Sequence, residues 1–180
     1  MIYLFLADGF EEIEALAPLD ILRRARKKVM TVGVTGKTVT GSHGIPVLCD
    51  VTVEEVDPDE MPEAVILPGG MPGTKHLDEN LFVCAFTKAV FKNGGLVCAI
   101  CAAPSVLGHI GILAGKNAVC FPGFESELVG ANVSAESVVR DGNIITAKGA
   151  GVALDFGFAI TAALCGEDDA KKLASAMQCP

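Results

Sequence analysis

The sequence predicts a doubly wound α/β sandwich, and three observations carry that expectation. Short apolar runs without alternation, at residues 2–7, 64–67 and 96–100, read as strands covered on both faces. Each run ends in a turn and leads toward a stretch of helical period, and strands alternating with helices imply parallel strands joined by crossover helices. Asp8-Gly9, the loop 68–73, Cys101 and Gly149-Ala150-Gly151 all follow strands, where ligands bind in this architecture.

Residues 2–7 stop at Asp8-Gly9 and read as a central first strand with its turn. A helix is expected over 11–27, acidic in its first turn and basic in its last, with a kink at Pro18. Residues 29–34 form the second strand. Gly41, Gly44 and Pro46 separate two β-like runs, 37–40 and 47–53, which predicts a small hairpin beside the main sheet. Strand 64–67 runs into Pro68-Gly69-Gly70-Met71-Pro72-Gly73, whose glycines permit close approach of backbone to a ligand. A helix over 76–92 follows, then strand 96–100, the turn at Cys101, and a helix over 105–114 with Pro104 in its first turn. Residues 118–120 read as a short strand and 121–124 as a loop over the sheet. Residues 137–140 and 144–147 make a hairpin through Asp141-Gly142. Gly149-Ala150-Gly151 opens a helix over 152–165, and a last amphipathic helix covers 168–177. With no repeat, low-complexity segment or linker in view, residues 1–180 are expected to form one domain.

At 180 residues and 51% hydrophobic content the chain can bury one substantial core. No window reaches the roughly 18 apolar residues of a membrane helix. The first apolar run lacks a basic region before it, so a cytoplasmic protein that does not engage membranes is expected. A net charge of −8 argues against nucleic acid as a partner. The one basic cluster, residues 23–28, fits the exposed last turn of a helix.

Seven cysteines, an odd number scattered among apolar stretches, read as reduced thiols. Cys98 and Cys101 form a C-x-x-C, but a strand rising about 3.3 Å per residue sets their Cα atoms about 10 Å apart. A disulfide spans about 7 Å at most, so Cys98 is assigned to the core. His43, His76 and His109 lie far apart in sequence, and no Cys/His group has zinc-ligand spacing, so no metal is expected. Cys101 stands apart because it sits between a buried strand and a helix N-terminus. Orphan N–H groups and the positive end of the dipole there are expected to lower its pKa and favour a nucleophilic thiolate. The competing reading is a small buried hydrophobe, against which the strand-turn-helix context weighs.

On a wheel of about 100° per residue, Glu14 falls amid Ile13, Ala17, Ile21 and Ala25, while Glu12 points away. Glu14 is therefore expected to be buried, with a raised pKa, and able to hydrogen-bond a thiolate or move a proton. A stem that snorkels outward is the alternative. Leu16, Leu19 and Leu22 make a second apolar patch, which points to helix packing in a homodimer. Cover by another part of the same chain would serve equally.

Four ordered motifs then carry a resemblance: Asp8-Gly9-Phe10-Glu11-Glu12-Ile13-Glu14, Val65-Ile66-Leu67-Pro68-Gly69-Gly70, Ala99-Ile100-Cys101-Ala102-Ala103-Pro104, and Lys148-Gly149-Ala150-Gly151. Over nearly its whole length the chain resembles the ThiJ/PfpI superfamily, in the branch of the Parkinson-associated protein deglycase and its bacterial relatives. The resemblance implies a flavodoxin-like sandwich, usually homodimeric, with Cys101 on a nucleophile elbow and Glu14 as a protonated glutamate. It also implies an anion pocket at Gly69, Gly70 and Ala102, in which the N–H groups of Gly70 and Ala102 hold a substrate oxygen or an oxidised sulfur. The peptidase branch has a histidine directly after its cysteine, where this chain has Ala102, so proteolysis is not expected. Animal members carry a histidine where this chain has Phe121, which leaves Glu14 to work largely alone. His43 stands where relatives often have an arginine that approaches the partner's site, which implies a cross-dimer contributor; a surface turn histidine is the alternative. His109 lies about 12 Å along a helix from Cys101, too far for contact. His76 reads as a helix-start residue.

The leading functional expectation is a cofactor-independent cysteine enzyme of glyoxalase or deglycase type. Its substrates would be glyoxal, methylglyoxal or glycated protein, and its products 2-hydroxy acids, without metal or glutathione. A second expectation is a redox-sensing, oxidative-stress protein or chaperone in which Cys101 is oxidised to sulfinate without turnover. A flavodoxin-like binding module is disfavoured, since the loop 68–73 has neither G-x-G-x-x-G nor Walker spacing.

Overall fold

The computed structural model describes residues 1–179. In chain order, β1 (Ile2–Leu6) leads into α1 (Glu12–Arg24), and β2 (Val29–Gly33) precedes a hairpin of β3 (Thr38–Thr40) and β4 (Pro46–Leu48). Next come β5 (Val51–Thr52), β6 (Ala64–Leu67), α2 (Gly73–Glu79), α3 (Leu81–Lys92), β7 (Leu96–Ile100) and α4 (Pro104–His109). The chain closes with β8 (Asn117–Ala118), β9 (Asn132–Val133), β10 (Val138–Asp141), β11 (Ile144–Ala147), α5 (Ala153–Cys165) and α6 (Glu167–Ala176).

Seven strands form the central sheet in the order β10-β11-β7-β6-β1-β2-β5, all parallel except the β10–β11 pair. Alternation along each strand feeds two cores. Ile2, Leu4 and Leu6 pack with Leu19, Leu22, Phe156 and Ile160 of α1 and α5, while Tyr3 and Phe5 pack on the other face with Val83 and Phe86 of α3 and Val106 of α4. The doubly wound sandwich expected from the sequence is therefore the observed architecture. Register sets the working edge: Leu67 pairs with Ala99 and Ala147 with Ile100, so β6, β7 and β11 end nearly level.

Several elements differ from expectation for local reasons. α1 stops at Arg24 because Arg26 turns left-handed at φ 59°, and Pro18 sits inside the helix. A Cβ on Gly157 would lie 3.1 Å from Pro18 Cα, so α5 meets α1 there with no room for a side chain. The run 47–53 splits: β4 pairs with β3, whereas β5 joins β2 at the edge of the main sheet. Asp50 makes the division, accepting the Thr31 N–H and hydroxyl at 2.8 and 2.9 Å. The helix expected over 76–92 breaks at Asn80, whose side chain accepts the Val83 N–H at 3.0 Å and caps α3. α4 ends at His109 ahead of Gly111, which has φ +77°. The strand expected over 118–120 reduces to β8, paired with the unforeseen β9.

The leucine patch is corrected as well. Leu19 and Leu22 are 9% and 0% exposed, and Leu16 packs on the same core. α5 and the sheet cover this face from within the chain, so it is no free surface for a partner. Among the described residues no helix is long and apolar enough to cross a membrane.

Candidate active site

Cys101 follows β7 directly and takes φ +66°, a left-handed conformation that a non-glycine residue holds only when its surroundings impose it. Two backbone bonds do so. Its N–H donates to Ala147 O at 2.9 Å, and its carbonyl accepts the Phe121 N–H at 2.8 Å. The sharp turn raises the thiol over the carboxyl edge of the sheet, beside the glycines after β6.

Glu14 approaches from α1. Glu11 caps that helix by accepting the Glu14 N–H at 2.7 Å, and the Glu14 side chain, 1% exposed, reaches inward. Its Oε2 accepts the Gly69 N–H at 3.0 Å, and Cys101 and the Ala150 N–H also hydrogen-bond the carboxyl. Burial, helped by the Glu11 charge, pushes Glu14 up to about 7 against these bonds. Gly69 is the spacer between the two side chains: a Cβ there would lie 2.5 Å from Glu14 Oε2 and 2.6 Å from Cys101 Cβ.

The Cys101 thiol moves opposite to expectation. Burial first, and then the Glu14 carboxylate, push it up to about 12, although the N–H groups of Gly70 and Ala102 pull it down. The lowering expected at a helix N-terminus fails because α4 begins only at Pro104, beyond the turn, while a carboxylate is the nearest charge. Burial thus raises both groups, the thiol more than the carboxyl, so a Glu14 carboxylate faces a thiol whose proton it can accept. Such a pair suits a nucleophile that must be deprotonated when substrate arrives, with the carboxyl ready to return the proton.

Cys101, Glu14, Gly69, Gly70 and Ala102 thus converge. His43 does not join them within this chain. It is an exposed residue of the β3–β4 turn, where its N–H donates to Glu12 Oε1 at 2.8 Å and its Nδ1 lies 2.8 Å from Glu12 Oε2. Glu12 does leave the Glu14 side of the helix, but the hairpin covers it, and it is 5% exposed. The sequence signal was Gly41, where any Cβ would collide with the Glu12 side chain. Ile13, expected in the buried stripe, is 55% exposed. His109 is held between Asp78 and Glu127, each at 2.9 Å, and His76 Nδ1 lies 3.0 Å from Asp8 O. Among the described residues the metal-capable grouping is Glu11, Glu12 and His43, which includes neither Cys101 nor Glu14. Gly149-Ala150-Gly151, expected at this edge, adds a contact the sequence did not foretell: the Ala150 N–H reaches Glu14 from the turn after β11.

Comparison with known proteins finds relatives over nearly the whole chain. The sequence model of the DJ-1/PfpI family matches residues 1–163. Protein dj-1beta of Drosophila melanogaster is 35% identical over 175 residues, covering 96% of this chain and 93% of its own. A deglycase of Pyrococcus abyssi is 34% identical over 145 residues, 79% of this chain and 86% of its own. Among solved structures, a DJ-1 superfamily protein from Salmonella typhimurium superposes with a TM-score of 0.94 at 35% identity, covering 99% of this chain and 98% of its own. Toxoplasma gondii DJ-1, solved oxidized, gives 0.95 at 30% identity over 99% of this chain and 97% of its own.

Proposed function

The chain belongs to the DJ-1/PfpI family, and from that premise we propose a cofactor-independent cysteine enzyme of glyoxalase or deglycase type. It acts on glyoxal, methylglyoxal or their early adducts on protein. The observation that carries this reading is the hydrogen bond between Cys101 and the buried Glu14, beside the N–H groups of Gly70 and Ala102. The Pyrococcus abyssi relative named a deglycase supports it.

The reaction balances without an outside oxidant. Cys101 Sγ adds to the aldehyde carbon of R–CO–CHO as its proton passes to Glu14, and the new oxygen lies at the Gly70 and Ala102 N–H groups. Glu14 returns that proton to the new oxygen, completing the hemithioacetal. As a carboxylate it then takes the proton from the former aldehyde carbon and delivers it to the neighbouring carbon, while the hydroxyl proton passes to the neighbour's oxygen. The first carbon is oxidised, the second reduced, and a thioester is left. Water cleaves the thioester to a 2-hydroxy acid and restores the thiol. No residue in this sequence of steps needs a metal or cofactor.

A second reading is favoured by the same two N–H groups, which suit the oxygens of a Cys101 sulfinate hydrogen-bonded to Glu14, as in a redox sensor. The seven unpaired cysteines suit a reducing, cytoplasmic setting. A homodimer is also proposed, though its support moves from the leucines to exposed Ile13 on α1 and exposed Ile45 and Leu48 on the β3–β4 hairpin. In that assembly His43 would face the partner's site.

Purified protein incubated with methylglyoxal, without glutathione, tests the reaction. Many equivalents of lactate are expected from wild type and none above background from Cys101→Ala. Glu14→Gln is expected to be at least about a hundredfold slower. Consumption of one equivalent without lactate would discard the enzyme reading and leave a scavenging or sensing thiol.

A further inference from the structure

Phe121 keeps 48% exposure although its backbone is fixed at the site by the bond to Cys101 O. Its ring lies against Gly149, 3.2 Å from the point a Cβ would occupy, and that point is 3.9 Å from Glu14 Oε1. A side chain at 149 would press on the ring, so the glycine lets an aromatic face stand beside the carboxyl. A hollow of about 360 Å³ opens along this face, lined by Phe121, Pro122, half-buried Lys148, Gly149 and Val152, and its wall is almost wholly apolar.

Single exposed hydrophobes need no explanation, but an apolar hollow walled by the residue that locks the elbow does. We infer that this hollow is a subsite for the apolar side group of the substrate, so that the site favours aryl- or alkyl-substituted 2-oxoaldehydes over glyoxal. For its chemistry the inference rests on the function proposed above. The carbon bearing R must lie within reach of Glu14, because that carboxyl carries the proton to it. Gly69 holds the Oε2 side of the carboxyl, and Gly149, which lines the hollow, stands on the Oε1 side. An R group of phenyl size can stack offset on the ring of Phe121 and pack against Val152. Glyoxal, with hydrogen at R, leaves the hollow unused.

The test compares phenylglyoxal with glyoxal on wild type, Phe121→Ala and Phe121→Leu, reading kcat and KM separately. A parallel titration compares binding of mandelate with glycolate, following amide shifts at 149–152. The ratio of kcat/KM for phenylglyoxal to that for glyoxal is expected to fall roughly tenfold in Phe121→Ala, mainly through KM, with a smaller fall in Phe121→Leu. Mandelate is expected to bind more tightly than glycolate, and Phe121→Ala to remove the difference. An unchanged ratio in Phe121→Ala, with glyoxal still turned over, would overturn the inference. So would a shift in sedimentation without one in mandelate affinity, which would make Phe121 a subunit contact. If no oxoaldehyde is turned over but mandelate binding still depends on Phe121, the subsite stands and the proposed reaction falls.

Discussion

Glu14 keeps its proton to a higher pH than an ordinary carboxyl because folding takes it from water without giving it a cation. It titrates near 7 in the folded chain against an ordinary 4.5, a difference worth about 3 kcal/mol. With the folded value raised, this contribution to stability is fully present below pH 4.5 and is lost as pH rises through 7. Urea unfolding of wild type and Glu14→Gln across that range should therefore diverge, the wild type losing up to about 3 kcal/mol relative to the variant. Parallel curves would show that Glu14 is not desolvated as described. At this scale Cys101 and Glu14 were legible, because a strand-turn-helix pattern and a helical wheel are local properties. Glu12 was not, since its burial comes from a hairpin some thirty residues along the chain, through the bonds from His43 and Ile45.

Elements followed the hydrophobic pattern closely, and their ends did not. The break at Asn80 shows why: apolar period alone runs through 76–92, while one side-chain oxygen at the Val83 N–H divides the segment into α2 and α3. Replacing Asn80 with alanine should cost about 1 kcal/mol and lower Tm by about 2–4 °C in a chain of this size. An unchanged Tm would mean that packing, not the cap, sets the break. α4 carries a chemical consequence. Its six residues begin after the elbow rather than at it, so the thiol is governed by burial and Glu14 more than by a helix terminus.

The whole molecule brings four chain segments to one edge, because parallel strands of matched register end together there. What it leaves outside is also informative: Ile13 on α1 and Ile45 and Leu48 on the β3–β4 hairpin are 55%, 51% and 71% exposed. Sedimentation equilibrium at micromolar concentration should find a dimer, and Leu48→Glu should shift it toward monomer with its circular dichroism spectrum unchanged. A wild-type monomer would remove both the dimer and any role for His43 at a partner's site.

The sequence by itself determined the fold class, the order of the main strands, the elbow at Cys101 and the acidic residue that faces it. Each of these depends on short-range pattern: apolar runs, helical period, and the backbone freedom of glycine at Gly69. Only the tertiary structure decided which leucines were core, why Glu12 is buried, that burial and Glu14 raise rather than lower the Cys101 thiol, and that Phe121 walls an apolar hollow. Those outcomes depend on what distant segments place against a residue. Burial and the field of a neighbouring charge are properties of that packing, and no local pattern encodes them.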